Sequence, residues 1–277
     1  MKKLLSVLAL GAIFVASGAQ ALENSVKPTV TDLGIDAPKS GLIVGNSYSF
    51  YNCGVHSYLR DFTREAKQDW KARILTMSSA RLSFHNVKDY LTPDKAMDPY
   101  AKAKPMFDVV MLQGQSAEPI TKKNGADLNF QKYVKEHVAT IRAAGATPLI
   151  IATWAKQDKP QDTKGLADET IKAANASNAM VVPVGLAFAE SLKVRPDLAM
   201  HQDDKSHPTA AGSYLYGAML YAVMYKKSPE GFKALGGCEK PLKPEDAKHL
   251  QTIAWKVVKE FYGWKWLQLT SWIGRPK

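Results

Sequence analysis

Three side chains in this sequence have types and spacing suited to nucleophilic catalysis: Ser47, Asp204 and His207. Ser47 follows the apolar run Gly41 to Val44, which predicts a short buried strand, and the residues after it favour a helix. A serine hydroxyl is a poor nucleophile at neutral pH unless an imidazole takes its proton and a carboxylate orients that imidazole. One loop holding Asp204 and His207 could supply both groups. We therefore predict Ser47 as nucleophile, His207 as base and Asp204 as orienting acid.

Each of these residues has an alternative role. A serine at the position of Ser47 commonly caps a helix. Asp204 could cap the helix predicted to begin near Pro208, with Asp203 as the orienting acid instead. A metal cluster is a further alternative, although catalytic metal ligands usually come from regular elements, so we predict no metal site. The residues of that alternative cluster are His201, Asp203, Asp204 and His207.

The N-terminal residues resemble a bacterial export signal. A basic start at Lys2 and Lys3 precedes an apolar stretch, and the small residues at 19–21 fit a cleavage site after Ala21. We predict a signal peptide over 1–21 and a periplasmic or extracellular destination. Residues 22–40 are polar with two prolines, which predicts a surface leader, and 41–277 is expected to form one domain.

The net charge indicates which partners to expect, and the cysteines indicate whether a disulfide can form. Removing the two signal lysines leaves 35 basic residues against 26 acidic ones, a net charge of +9, which would favour weak attraction to anionic surfaces. No basic tract is interleaved with aromatics, so nucleic acid is not an expected partner. The two cysteines, Cys53 and Cys238, could form a disulfide in an oxidising compartment, or remain thiols.

Short apolar runs alternate with longer amphipathic segments along the chain. This alternation predicts a parallel sheet covered by helices on both faces. The predicted strands are 41–44, 73–77, 107–112, 147–153 and 179–184, and the clearest helices are 55–68, 129–144, 166–176, 210–225 and 244–261. The aromatic C-terminal stretch from Phe261 to Trp272 is expected to cover its own domain, with sugar stacking or a membrane surface as alternatives.

In such sheets, ligands bind and functional residues lie at the carboxyl ends of the strands. Ser47 follows the first predicted strand, Ser79 the second and Gln115 the third. A tetrahedral intermediate needs donors aimed at its oxyanion. We predict that the backbone amides of Ser47 and Ser79 and the side chain of Gln115 supply them, with Gln113 as the alternative to Gln115. Asn46, Tyr48 and Gln113 are predicted to bind substrate.

The arrangement resembles the SGNH, or GDSL-like, hydrolase superfamily. Leu42 to Tyr48 is similar to its first block, with asparagine in place of aspartate before the serine. Asp108 to Ser116 looks like the third block of a subgroup that has leucine-glutamine and a nearby serine. The Asp204-x-x-His207-Pro208 run looks like the fifth block. Two departures concern the oxyanion hole: Ser79 stands where glycine is usual, and glutamine replaces asparagine.

The resemblance implies a three-layer α/β/α sandwich with a flavodoxin-like parallel sheet of about five strands. It also implies esterases, lipases, carbohydrate acetylesterases or acyltransferases, none needing a cofactor. We predict an exported serine esterase acting on a small-molecule or glycan ester, with a short acyl group on a carbohydrate as the first candidate. The alternatives are a lipase or lysophospholipase, an O-acyltransferase, and a glycan-binding protein that keeps the fold without activity.

Overall fold

In the part of the chain that the structure describes, the strands form one five-stranded parallel sheet and one small hairpin. The computed structural model describes residues 22–92, 106–123, 126–127, 129–236 and 240–264. In the main sheet the order is β2-β1-β3-β6-β7, and every neighbouring pair is parallel. The strands are β1 Ser40–Gly45, β2 Lys71–Thr76, β3 Val109–Gln113, β4 Lys122–Lys123, β5 Ala126–Asp127, β6 Thr147–Ile151 and β7 Met180–Val182, with β4 and β5 forming the antiparallel hairpin.

Helices cover both faces of the sheet. They are α1 Ser47–Phe50, α2 Val55–Glu65, α3 Val87–Tyr90, α4 Phe130–Ala143, α5 Asp162–Ala176, α6 Val184–Val194, α7 Ala210–Tyr225 and α8 Pro244–Tyr262. The crossovers around β1 run in opposite directions along the sheet, so right-handed connections place α2 on one face and α4 and α5 on the other. Helices α7 and α8 pack on the α2 side. The predicted three-layer α/β/α fold with its flavodoxin-like strand order is confirmed.

The core lies where the central strands meet these two layers. Strands β3 and β7 are buried at every residue, as expected for strands covered on both faces, whereas the edge strand β2 alternates between exposed and half-buried. Helix α7 is buried along almost its whole length. Its close approach to α2 depends on Gly217, because a Cβ there would lie 2.6 Å from Cβ of Tyr58.

The segments on either side of the sandwich pack against it. Residues 22–39 form no helix or strand and run along α5, where the amides of Ser25 and Val26 donate to Asp168 Oδ1 at 2.8 and 2.9 Å. At the other end of the chain, Tyr262 stacks on Trp264, and Trp264 Nε1 donates to the carbonyl of Thr31. These aromatic residues therefore cover their own domain, and the predicted continuation over 265–277 lies outside the described residues.

None of the helices in these described ranges is both long and apolar enough to cross a membrane. The predicted signal peptide over 1–21 also lies outside them, and export stays a prediction.

Candidate active site

Ser47 lies at the first residue of α1, directly after strand β1. Asn46 has extended backbone, and its side chain accepts from the Tyr48 amide at 3.1 Å, so Asn46 rather than Ser47 caps the helix. The Ser47 hydroxyl is left to a different partner, His207, whose Nε2 lies 2.8 Å from Ser47 Oγ. The geometry thus joins two residues that are 160 positions apart in sequence.

His207 is held by Asp204 in the same loop. His207 Nδ1 contacts Asp204 Oδ2, while Asp204 Oδ1 accepts from the backbone amides of Ser206 and His207, both at 2.9 Å. The hydrogen bond with His207 is the largest cause that lowers the pKa of Asp204 to about 2, and the two amides act in the same direction. An ionised carboxylate only accepts, so Nδ1 carries the proton and Nε2 is free to accept from the serine hydroxyl.

The low pKa of Asp204 makes the stability of the folded loop depend on pH. Since the folded pKa lies below the value of an unfolded aspartate, ionised Asp204 favours the folded loop above about pH 4. That contribution is lost as the pH falls toward 2. Its carboxylate therefore stays charged, and His207 stays oriented, over the whole neutral range. Asp203, the alternative orienting acid, makes no contact with His207 among the described hydrogen bonds.

Three aromatic rings lie around this loop, and no sequence pattern predicted their contacts with it. Tyr51 stacks on the His207 imidazole with centroids 4.1 Å apart, and Tyr48 meets the imidazole edge-on at 5.8 Å. Tyr48 stacks in turn on Trp154 at 4.3 Å. The indole of Trp154 donates to the carbonyl of Ser206 at 3.0 Å, and the Tyr48 hydroxyl lies 2.7 Å from Ser206 Oγ. Stacking and hydrogen bonds together fix the imidazole in place.

The three residues predicted to bind substrate, Asn46, Tyr48 and Gln113, are all buried. Gln113 is 0% exposed, and both hydrogens of its amide are used, on Asn46 Oδ1 and the Gly114 carbonyl. Asn46 donates to the carbonyls of Ala80 and Gly114 at 2.9 and 3.2 Å. These buried amides lock together the loops after β1, β2 and β3. Tyr48 is also buried. A role for these three residues in substrate binding stays a prediction, as does Gln113 as the alternative oxyanion donor, although both of its amide hydrogens are already used.

The predicted oxyanion donors lie on the loops that this network joins. Among the described residues no hydrogen bond occupies the backbone amides of Ser47 and Ser79. Gln115 is half-buried, and its Nε2 donates to Ser116 Oγ at 3.0 Å, which fixes the amide while leaving its second hydrogen for another acceptor. Their shared role in an oxyanion hole stays a prediction.

Ser79 has a φ of 57°, in the left-handed region that favours glycine. We expect Ser79→Gly to remove about 1 kcal/mol of backbone strain, against a similar entropic cost in the unfolded chain. Its melting temperature should be equal to or a few degrees above that of the wild type. Thermal unfolding followed by circular dichroism measures this.

Ser78→Gly is the matched control, since Ser78 is not among the described residues with positive φ. Its stability should fall by about 0.5–1 kcal/mol. Equal destabilisation by both substitutions would contradict the assignment of strain to Ser79.

His201 belongs to a structural hydrogen bond rather than to a cluster with His207. Its Nε2 lies 2.9 Å from the carbonyl of Ala155. Within the described ranges no group of three or more histidine, cysteine, aspartate or glutamate side chains is arranged to hold a metal ion.

The turn after α1 connects the region of Ser47 to the start of α7. Asn52, Cys53 and Gly54 all have positive φ, and Asn52 Nδ2 donates to the Pro208 carbonyl and to Ser213 Oγ at 2.9 and 2.8 Å. Cys53 is disulfide-bonded. Its predicted partner Cys238 lies outside the described residues, so that pairing stays a prediction.

Several solved structures have a fold similar to that of this chain. A DUF4886 family protein from Bacteroides uniformis ATCC 8492 matches with a TM-score of 0.57 and 17% identity, over 79% of this chain and 94% of that chain. A catalytic mutant of Axe2, an acetylxylan esterase from Geobacillus stearothermophilus, matches with a TM-score of 0.50 and 13% identity, over 72% and 97%. A candidate SGNH hydrolase from Slackia heliotrinireducens is 24% identical, with a TM-score of 0.49 over 66% and 97%.

The neighbours therefore include SGNH hydrolases and esterases, and the likeness is one of fold. No family model matches the chain, and no curated protein is similar enough to match.

Proposed function

We propose that this protein is a serine ester hydrolase with Ser47 as nucleophile. The observation that carries the proposal is the continuous contact from Ser47 Oγ to His207 Nε2 and from His207 Nδ1 to Asp204. The fold shared with esterases supports the same conclusion. This order of groups is what a weak hydroxyl nucleophile needs to become reactive at neutral pH.

The reaction follows from these contacts. Ser47 Oγ attacks the acyl carbon while its proton passes to His207 Nε2, and Asp204 stabilises the resulting imidazolium. The tetrahedral intermediate collapses as His207 returns that proton to the departing alcohol, which leaves an acyl-serine. Water then attacks the acyl carbon with His207 as base, and collapse releases the carboxylic acid and restores Ser47.

The negative charge of each tetrahedral intermediate needs fixed donors. The unoccupied amides of Ser47 and Ser79 and the second hydrogen of Gln115 Nε2 are the groups that we assign to it. Donors held in advance cost no reorganisation during the reaction, so they favour the transition state over the ester. The hydrogen-bond network of Asn46 and Gln113 supports this arrangement because it holds all three loops together.

For the substrate we propose a short acyl ester of a carbohydrate. The exposed ring of Phe50 stacks on Tyr51, which itself stacks on His207, so an aromatic surface adjoins the group that protonates the leaving alcohol. Sugar rings pack well on aromatic faces. The fold is also that of an acetylxylan esterase. A role outside the cytoplasm is part of the proposal, and it rests on the export-like pattern of residues 1–21 alone.

Labelling with a serine-reactive fluorophosphonate, followed by peptide mass spectrometry, tests the proposal. We expect an adduct on Ser47 in the wild type and none in His207→Ala, because the hydroxyl loses its base. The control is Gln202→Ala, which alters the same loop without touching the imidazole and should still be labelled. A folded wild type with no adduct, or an adduct that persists without His207, would contradict the proposed mechanism.

A further inference from the structure

A buried carboxylate lies between two of the loops that carry the proposed oxyanion donors. Glu118 is 1% exposed. Both of its oxygens accept from the Leu82 amide at 3.2 Å, and Oε2 also accepts from the Gln115 amide at 2.8 Å. Leu82 follows Ser79 by three residues in the loop after β2, and Gln115 lies in the loop after β3. One side chain therefore joins the two loops.

Burying this carboxylate in the interior costs desolvation free energy. Burial raises the pKa of Glu118, and the amides of Gln115 and Leu82, together with the more distant charge of Arg81, act against that shift. Among the described residues no ion pair neutralises it. An apolar side chain would fill the same space without a desolvation penalty. The described hydrogen bonds of this buried acid all come from two backbone amides, which points to a need for those amides to be held in one position.

The surroundings leave Glu118 little freedom. A Cβ on Gly114 would lie 2.9 Å from both Glu118 Oε2 and the Phe130 ring. From α4, His137 Nε2 lies 2.8 Å from the Leu82 carbonyl, so the Leu82 peptide is held on both its amide and its carbonyl side. The network of Asn46 joins the same two loops through the carbonyls of Ala80 and Gly114. Glu118 adds a second connection between these loops, through the amides of Leu82 and Gln115.

We propose that Glu118 is a positioning residue for the oxyanion hole, fixing the separation between the Ser79 amide and the Gln115 side chain. The inference rests on the proposed ester hydrolysis and deepens it. Glu118 does not touch the substrate. By holding Leu82 and Gln115 it sets the distance between two donors that must reach one oxygen atom. Its loss should therefore weaken transition-state binding while leaving the binding of the ester itself unchanged.

Glu118→Gln is the substitution that tests this role, because it keeps the shape but replaces one acceptor oxygen with an NH₂ group that faces a backbone N–H. With p-nitrophenyl acetate we expect kcat to fall by about 10- to 100-fold and KM to change by less than about threefold. Inhibition by a trifluoromethyl ketone, which forms a tetrahedral adduct, should weaken in parallel. If Glu118 only stabilised the fold, the folded variant would keep the wild-type kcat and KM, and the trifluoromethyl ketone would inhibit it as strongly as it inhibits the wild type.

Glu190→Gln is the matched control. Glu190 is also a buried acid, but it pairs with Lys256 between α6 and α8, away from the site. Its loss should lower the melting temperature and leave kcat unchanged. If Glu118→Gln is too unstable to assay, Glu118→Asp keeps the charge but is one methylene too short for both amides, and the same fall in kcat is expected.

The outcomes separate this inference from the function on which it rests. An active wild type whose Glu118 variants fold and keep full kcat would overturn the positioning role alone. A wild type that is not labelled at Ser47 and hydrolyses no ester would overturn the proposed function, and the role of Glu118 with it.

Discussion

Ser47→Ala is expected to lower kcat for a short-chain ester by roughly 10⁴- to 10⁶-fold, the range over which removing a triad nucleophile acts in serine hydrolases. The substitution deletes the atom that forms the acyl bond. It should leave the fold intact, because Ser47 Oγ is bonded to His207 and the helix cap belongs to Asn46. Release of p-nitrophenol from the acetyl ester, with melting temperature measured alongside, checks both expectations.

Ser49→Ala is the control for this experiment. Ser49 lies two residues further along α1, and its buried hydroxyl donates to Gln113 Oε1 at 2.9 Å. Removing it should cost about 1 kcal/mol of stability with little effect on kcat. Ser47→Ala is thus expected to lower activity and leave stability unchanged, whereas Ser49→Ala should lower stability with little effect on activity. Retained turnover in Ser47→Ala would mean that another residue attacks the ester.

Asp204→Asn is expected to lower kcat by about 10²- to 10⁴-fold with the loop still folded. Asparagine keeps an oxygen that can accept from the Ser206 and His207 amides as Asp204 Oδ1 does. In place of the other oxygen it presents an NH₂ group to His207 Nδ1. The imidazole must then carry its proton on Nε2, where it can no longer accept from Ser47. Steady-state kinetics near neutral pH measures the loss.

The size of that loss depends on solvent access. The Asp204 side chain is 46% exposed, so water can partly replace it, and we expect a value below the upper limit. Asp203→Asn, one residue earlier, is the matched control and should retain full activity. If Asp203→Asn were the more damaging change, the orienting acid would be Asp203.

The sheet could be predicted because its strands are apolar runs with clear ends. The first strand was predicted over 41–44 and lies at Ser40–Gly45, since a strand buried on both faces has few polar residues. Strand β2 was predicted from Arg73 but begins two residues earlier, at Lys71, which is exposed on an edge strand. Helix α6 was missed altogether. Its residues are apolar on most sides, so no amphipathic period distinguishes it from the strand run before it.

The site could be predicted only in part. Hydroxyl, imidazole and carboxylate carry their chemistry in the residue type, so Ser47, His207 and Asp204 could be chosen from the sequence alone. The contacts of Gln113 could not, because they depend on the close packing of the ends of the neighbouring strands β1 and β3: a Cβ on Gly45 would lie 2.6 Å from Gln113 Oε1. Glu118 gave no signal either, since an acid in a loop is ordinarily solvated. Only the packed structure shows it enclosed.

The stacked rings of Tyr48, Trp154 and Phe188 place a fluorescent indole against the loop that carries Asp204 and His207. Trp154 lies between Tyr48 and Phe188, with both ring centroids 4.3 Å away, and its indole N–H reaches the Ser206 carbonyl. Indole emission responds to hydrogen bonding and to polarity at this N–H. A displacement of the Asp204–His207 loop would therefore change the fluorescence of Trp154. Because the chain has six tryptophans, the difference between the emission of the wild type and that of Trp154→Phe isolates this signal without any attached dye.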